Sequence, residues 1–229
     1  MATHLVTGAG AGIGAAVAHV LSARGDQLIL LARSDERAGD LRSAFPGSRT
    51  VVADLAEPAG LADALAGQGL PDRLDSLVHV AGFVELAPVG KASASSWRRT
   101  VDVNLLAPAE LTRLCLPALR TATGQVVFVN SGSGLRANPD WSAYAASKHG
   151  LRALADSLRA EEKDAGVRVT SVYPGRTATA MQEKVHAQEG KEYDPADWIR
   201  PESVATAVLT ALDLPRDAEM TDVTVRPGP

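Results

Sequence analysis

Short unbroken runs of apolar residues alternate along the chain with longer stretches in which apolar positions recur every three or four residues. Leu28-Ile29-Leu30-Leu31 and Val126-Val127-Phe128-Val129 are the clearest runs, and continuous apolarity of this length suits a strand covered on both faces, as in a parallel sheet. The pattern predicts strands over 4–7, 27–32, 50–53, 76–80, 125–130, 168–173 and 222–226. It predicts helices over 12–24, 34–45, 57–66, 95–119, 143–165 and 201–212. Gly25 and Gly166 stand where the first and fifth of these should stop. Strand–helix alternation with short connections specifies an α/β fold. The expected architecture is a doubly wound, parallel, seven-stranded Rossmann sheet with helices on both faces, in one domain over 1–229. The stretch 177–200 is polar, carries Pro195 and Trp198, and breaks the alternation. It is expected to be a loop or helical insertion that serves as a substrate lid.

Composition narrows the function without naming it. The chain has 23 basic and 27 acidic residues, so it lacks the basic excess of a nucleic-acid-binding protein. Cys115 is the lone cysteine, which excludes an internal disulfide and a multi-thiolate metal site. It lies in an apolar helical stretch and is expected to be a small core residue. No run approaches the roughly 20 apolar residues that span a bilayer, and no basic leader precedes the first strand. A cytoplasmic location, with no membrane partner, is the expectation.

Thr7-Gly8-Ala9-Gly10-Ala11-Gly12-Ile13-Gly14 joins the first strand to the first helix. Glycines there let a pyrophosphate approach the backbone, and the helix N-terminus favours its charge. Started at Gly8, the common G-x-G-x-x-G spacing fails, because Ile13 occupies its last slot. Started at Gly10 it reads G-x-G-x-x-A, and G-x-x-x-G-x-G fits Gly8, Gly12 and Gly14. A plain strand-to-helix turn needing unusual backbone angles would also use glycine. The flanking strand and helix favour dinucleotide binding. The second strand ends Leu31-Ala32-Arg33-Ser34, with no carboxylate at the position that accepts from the ribose of NAD. Arg33 can pair with a 2′-phosphate, so NADP(H) is the preferred cofactor. Asp35 and Glu36 lie close enough to leave NAD(H) open.

Tyr144 and Lys148 are four residues apart in a helical stretch and share a face. A phenol titrates near pH 10, and a neighbouring cation brings it toward neutrality. The pair could therefore move a proton, although an exposed tyrosine and a solvated lysine would show the same spacing. Ser131, at the end of the fifth strand, faces the ligand crevice of such a sheet and could hydrogen-bond a carbonyl oxygen. Ser133 is a weaker candidate for that contact.

Together these residues resemble the short-chain dehydrogenase/reductase family in its single-domain form. Thr7 to Gly14 matches its glycine motif, and Asp54-Leu55 its adenine contact after the third strand. His79-Val80-Ala81-Gly82 matches its N-N-A-G segment in part. Asn104, Ser131, Tyr144 and Lys148 match its catalytic set, and Pro174-Gly175 with Thr177 and Thr179 its nicotinamide segment. The resemblance implies that Tyr144 moves the proton and that Lys148 holds the nicotinamide ribose and lowers the phenol pKa. It implies that Ser131 orients the substrate oxygen, that Asn104 supports a water relay, and that no metal takes part. Gly8, Gly10, Ala11, Gly12, Ile13, Gly14, Arg33, Ser34, Asp54, Leu55, Ala81 and Gly82 would meet the cofactor, with Asn104, Tyr144 and Lys148 at its nicotinamide end. The substrate would be a small carbonyl compound or alcohol, its pocket walled by Phe83, Ser133, Leu135, Trp141 and 181–198. A homodimer through 95–119 and 143–165 is implied. The short segment after the last strand puts the family's tetramer in doubt. His79 and Val80 depart from the paired asparagines, and His79 is expected to be structural. A dinucleotide-binding regulator without turnover is the alternative. The chain lacks the length for the sugar-binding domain of a nucleotide-sugar epimerase.

Overall fold

The apolar runs lie side by side as one parallel sheet in a computed structural model that describes residues 1–228. In chain order the elements are β1 (Thr3–Thr7), α1 (Gly12–Ala23), β2 (Gln27–Ala32), α2 (Asp35–Ala44), β3 (Arg49–Val52), α3 (Leu61–Ala66) and β4 (Ser76–His79). There follow α4 (Ala94–Val101), α5 (Ala107–Ala122), β5 (Gln125–Val129), α6 (Ser142–Glu161), β6 (Arg168–Pro174), α7 (Ala180–Glu189), α8 (Pro201–Asp213) and β7 (Asp222–Val225). The strand order is β3-β2-β1-β4-β5-β6-β7. β1 pairs with β2 on one side and β4 on the other, Thr7 standing opposite Leu31 and His79. The order reverses between β1 and β4, so a crevice opens beyond the carboxyl ends of these strands.

Both faces of the sheet are covered, and alternate strand residues serve opposite cores. Leu5, Leu77, Val126 and Phe128 pack with Leu111, Cys115 and Leu119 of α5 and Leu151 and Leu158 of α6. Val6, Val78, Val127 and Val129 pack with Val17 and Leu21 of α1, Leu41 of α2, and Val204 and Val208 of α8. This two-sided burial is why the strands read as continuous apolar runs.

Two elements differ from the sequence expectation. The helix expected over 95–119 is broken into α4 and α5 by a π turn, Asp102–Leu106. Pro108 is the physical reason: it has no N–H, so the carbonyl of Asn104 loses its α-helical donor. Ala107 instead donates to the carbonyl of Asp102. The helix expected over 57–66 starts as a 3₁₀ turn, Pro58–Gly60, before α3. The 177–200 stretch contains α7, capped by the Thr179 hydroxyl, which accepts from the Gln182 N–H at 3.3 Å. Its base is tied by parallel pairing of Thr177 with Ile199. Among the described residues, no helix is long and apolar enough to cross a membrane.

Candidate active site

The glycine loop is shaped by close approaches that only hydrogen allows. Gly8 has φ +73°, and a Cβ there would lie 2.8 Å from the Ala81 nitrogen. Gly12 has φ +54°, and a Cβ there would lie 2.9 Å from Thr179 Cγ2. Gly14 packs directly on the Gly8 carbonyl at the start of α1. Gly10 has open space around it and lies on the exposed side of the loop. The Thr7 hydroxyl accepts from the N–H groups of Val80 and Ala81 at 3.0 and 3.1 Å. Val80 thus contributes its backbone where the family pattern has an asparagine side chain.

A cavity of about 960 Å³ opens beside this loop. Gly8, Ala11, Gly12, Ile13, Ala81 and Gly82 line one part, and Pro174, Gly175, Thr177 and Thr179 another. Ser131, Tyr144 and Lys148 line the same space. Tyr144 and Lys148 sit in the first two turns of α6, on one buried face. The Asn130 side chain donates to the Lys148 carbonyl at 3.1 Å, which locks the end of β5 to that helix. Lys148 Nζ donates to the Val129 carbonyl at 3.1 Å and stands 5.8 Å from the centre of the Tyr144 ring.

Burial sets the protonation of this pair. It pushes the Tyr144 phenol above its ordinary value, and the hydrogen bond with Ser131 opposes that push. It brings the Lys148 ammonium down to about 8. The expectation was that Lys148 lowers the phenol. In this geometry burial outweighs every neighbour, and Ser131 is the group that acts against it.

Asn104 lies in the π turn, outside the cavity lining, and its side chain makes three hydrogen bonds. Its oxygen accepts from the Phe83 N–H at 2.8 Å, and its nitrogen donates to the Phe83 carbonyl and the Ser147 hydroxyl. The carboxamide therefore braces the strand-end loop against α6, using both N–H donors and one of the two acceptor sites of its oxygen. The remaining predicted cofactor residues do not line this cavity and follow the carboxyl ends of β2 and β3. Arg33 is exposed at the end of β2. Ser34 caps α2, its hydroxyl accepting from Arg37 N–H. Asp54 is exposed after β3 and accepts from Ala56 N–H, while Leu55 packs against the core.

His79 is a core residue. Its Nε2 lies 2.9 Å from the Thr112 hydroxyl, its ring stacks on Phe128 at 4.9 Å, and burial pushes it down to about 3. Cys115 is buried, and its thiol is pushed up to about 12, which makes it unreactive. Among the expected pocket walls, Ser133 and Trp141 line the cavity, with Met181, Gln182 and Val185 from α7. Phe83 and Leu135 do not. Phe83 carries the Arg99 guanidinium over its ring at 4.6 Å, and Leu135 is exposed. Glu189, within the expected wall 181–198, also lines the space, as do Arg136, Arg176 and Arg226, which were not among the expected residues. One signal was present for two of them: Arg176 follows Pro174-Gly175, and Arg226 follows the last strand, where a crevice is expected.

The short chain dehydrogenase family model matches residues 2–190, and the chain belongs to that family. An uncharacterized short-chain type dehydrogenase/reductase of Sinorhizobium fredii is 32% identical, over 97% of this chain and 90% of that protein. An alcohol dehydrogenase of the archaeon Thermococcus sibiricus, solved with 5-hydroxy-NADP, superposes with a TM-score of 0.84 at 25% identity, over 99% of this chain and 97% of that one. A 4-hydroxyisoleucine dehydrogenase mutant, solved with NADH and succinate, gives the same TM-score, identity and coverage. The fold is that of a nicotinamide-dependent oxidoreductase family acting between alcohols and carbonyls.

Proposed function

We propose that the protein is an NADP(H)-dependent oxidoreductase that interconverts a carbonyl and an alcohol, with Tyr144 as its acid–base group. The observation that carries this reading is that Tyr144, with Lys148 Nζ 5.8 Å from its ring, shares with Ser131 the wall of the cavity that the glycine loop opens into. The loop suits a dinucleotide because its close approaches leave no side chain between backbone and ligand. Gly8 to Gly14 would hold the pyrophosphate, Arg33 and Ser34 the 2′-phosphate, and Asp54 and Leu55 the adenine side. Lys148 would hold the nicotinamide ribose, with Pro174 to Thr179 around the nicotinamide. The bound cofactor supplies or accepts the hydride.

Tyr144 gives its proton to the substrate oxygen in reduction and takes it back in oxidation. Burial favours its neutral phenol, the form that donates in reduction, and a neighbouring cation is what would bring its pKa toward the operating pH. Ser131 orients that oxygen. The Asn104 carbonyl, whose α-helical donor is missing, supports the water-borne proton route, and its side chain holds the loop that flanks it. The segment 177–200 closes over substrate as a lid. NADP is favoured over NAD because Arg33 ends β2 with no carboxylate paired to it among the described residues. A homodimer in the cytoplasm is part of the same reading.

The test is Tyr144→Phe in the full chain. Turnover of a carbonyl panel with NADPH should fall by about 10²–10⁴-fold. NADPH affinity, read by nicotinamide fluorescence, should stay within about threefold. Unchanged turnover would defeat the reading, and bound cofactor with no turnover in the wild type would favour a regulator. A higher kcat/KM with NADH than with NADPH would defeat the cofactor preference.

A further inference from the structure

The cavity wall carries three guanidinium groups, Arg136, Arg176 and Arg226, and one carboxylate, Glu189. Arg176 and Glu189 neutralise each other through two hydrogen bonds of 2.9 and 2.6 Å, and Lys191 adds a third contact to Glu189 at 3.1 Å. Arg136 and Arg226 make no ion pair or side-chain hydrogen bond among the described residues. The surplus is local, because the whole chain carries a net charge of −4. Arg226 is exposed at the cavity rim and lies over Gly132. Its Nη1 lies 2.7 Å from the point a Cβ on Gly132 would take, which puts the guanidinium against the residue after Ser131.

The cofactor's phosphates do not account for this cation. The glycine loop follows β1, whereas Arg226 follows β7, four strand positions away. At about 4.8 Å per strand that is roughly 19 Å. Arg226 reaches back two strand positions to Gly132, just past the carboxyl end of β5 and two strand positions short of the loop. The group it faces is therefore whatever occupies the space beside Ser131 and Tyr144.

We infer that Arg226 binds the carboxylate of the substrate, so that this site takes hydroxy and oxo acids whose reacting carbon lies a few bonds from the acid group. The inference rests on the functional reading above. A forked guanidinium is the side chain best matched to a carboxylate. Bound in this way, the acid group would fix which carbon is presented to the Tyr144 proton. Arg136, on the same turn as Gly132, raises the local potential without acting as the anchor.

Matched acids and methyl esters test it, because each pair has the same carbonyl and differs in charge. The pairs are 2-oxobutanoate, 3-oxobutanoate and 4-oxopentanoate with their methyl esters, titrated into the enzyme–NADPH complex and read by nicotinamide fluorescence beside turnover. In the best-spaced pair the acid should bind about tenfold or more tightly than its ester. Arg226→Gln should remove that preference, Arg226→Lys should keep part of it, and NADPH affinity should not move in either. Equal binding of acid and ester throughout, or a preference that survives Arg226→Gln, overturns the inference. So does lost NADPH affinity in Arg226→Gln, which would assign the guanidinium to the cofactor. Acid bound through Arg226 without reduction upholds the inference and counts against the functional reading alone.

Discussion

The two ends of the β1–β4 pair carry similar chemistry and opposite prospects. At the amino end, His4 stands opposite Ser76 in the ladder. His4 Nδ1 lies 2.7 Å from the Ser76 hydroxyl, and His4 Nε2 lies 3.5 Å from an Asp26 carboxylate oxygen. Serine, histidine and aspartate follow in the order of a hydrolytic triad. Yet Ser76 is 1% exposed and lines no part of the cavity, so no substrate carbon can reach it. At the carboxyl end, Tyr144 and Lys148 are also buried, but with the half-buried Ser131 they face a cavity of about 960 Å³. Hydrogen-bond order alone does not make a site. Access and a ligand cradle beside the group do, and a doubly wound sheet supplies both at one end only.

The sharpest way to break this contrast is to cut one serine at each end. Ser131→Ala should lower kcat/KM by about 10²–10³-fold, the range for losing one hydrogen-bond donor to a reacting oxygen. Ser76→Ala should leave kcat unchanged and cost about 1–3 kcal/mol of stability in urea unfolding, because His4 loses a buried partner. A kinetic defect in Ser76→Ala, or none in Ser131→Ala, would erase the distinction.

A smaller effect sharpens it. The folded pKa of Lys148, about 8, lies below the unfolded value of 10.5, so the unfolded chain binds more protons between those values. Stability should therefore rise with pH across that window, by about 1–2 kcal/mol between pH 8 and 9.5. Below pH 8 the full penalty of the buried ammonium is present. Lys148→Met should lack that rise when urea midpoints are compared at the two pH values. An identical pH dependence would mean that the ammonium is not desolvated.

The strands were legible in the sequence because burial on both faces leaves each one an unbroken apolar run. The glycine loop, Ser131, Tyr144 and Lys148 were legible because local spacing and strand ends bring them together. Helix α7 was not, since little beyond Val185 and His186 on it is buried and the apolar period is faint. The π turn was readable only through Pro108, whose effect falls four residues earlier. The role of the Asn104 side chain was hidden because its partners, Phe83 and Ser147, come from distant segments. Arg176 meets Glu189 only once α7 is formed, and Arg226 meets Gly132 only after the sheet is assembled. Such charges carry no periodic mark.

The contact between Gly12 and Thr179 joins two positions far apart in the sequence at one narrow slot. In genetic terms they should behave as a suppressor pair. Gly12→Ala alone should weaken NADPH binding, since its new methyl group has no room against Thr179 Cγ2. Adding Thr179→Ser removes that methyl partner and should restore part of the affinity. The restoration should stop short of wild type, because φ +54° still costs an alanine about 1–2 kcal/mol. A selection for second-site suppressors of Gly12→Ala would then be expected to return changes at Thr179.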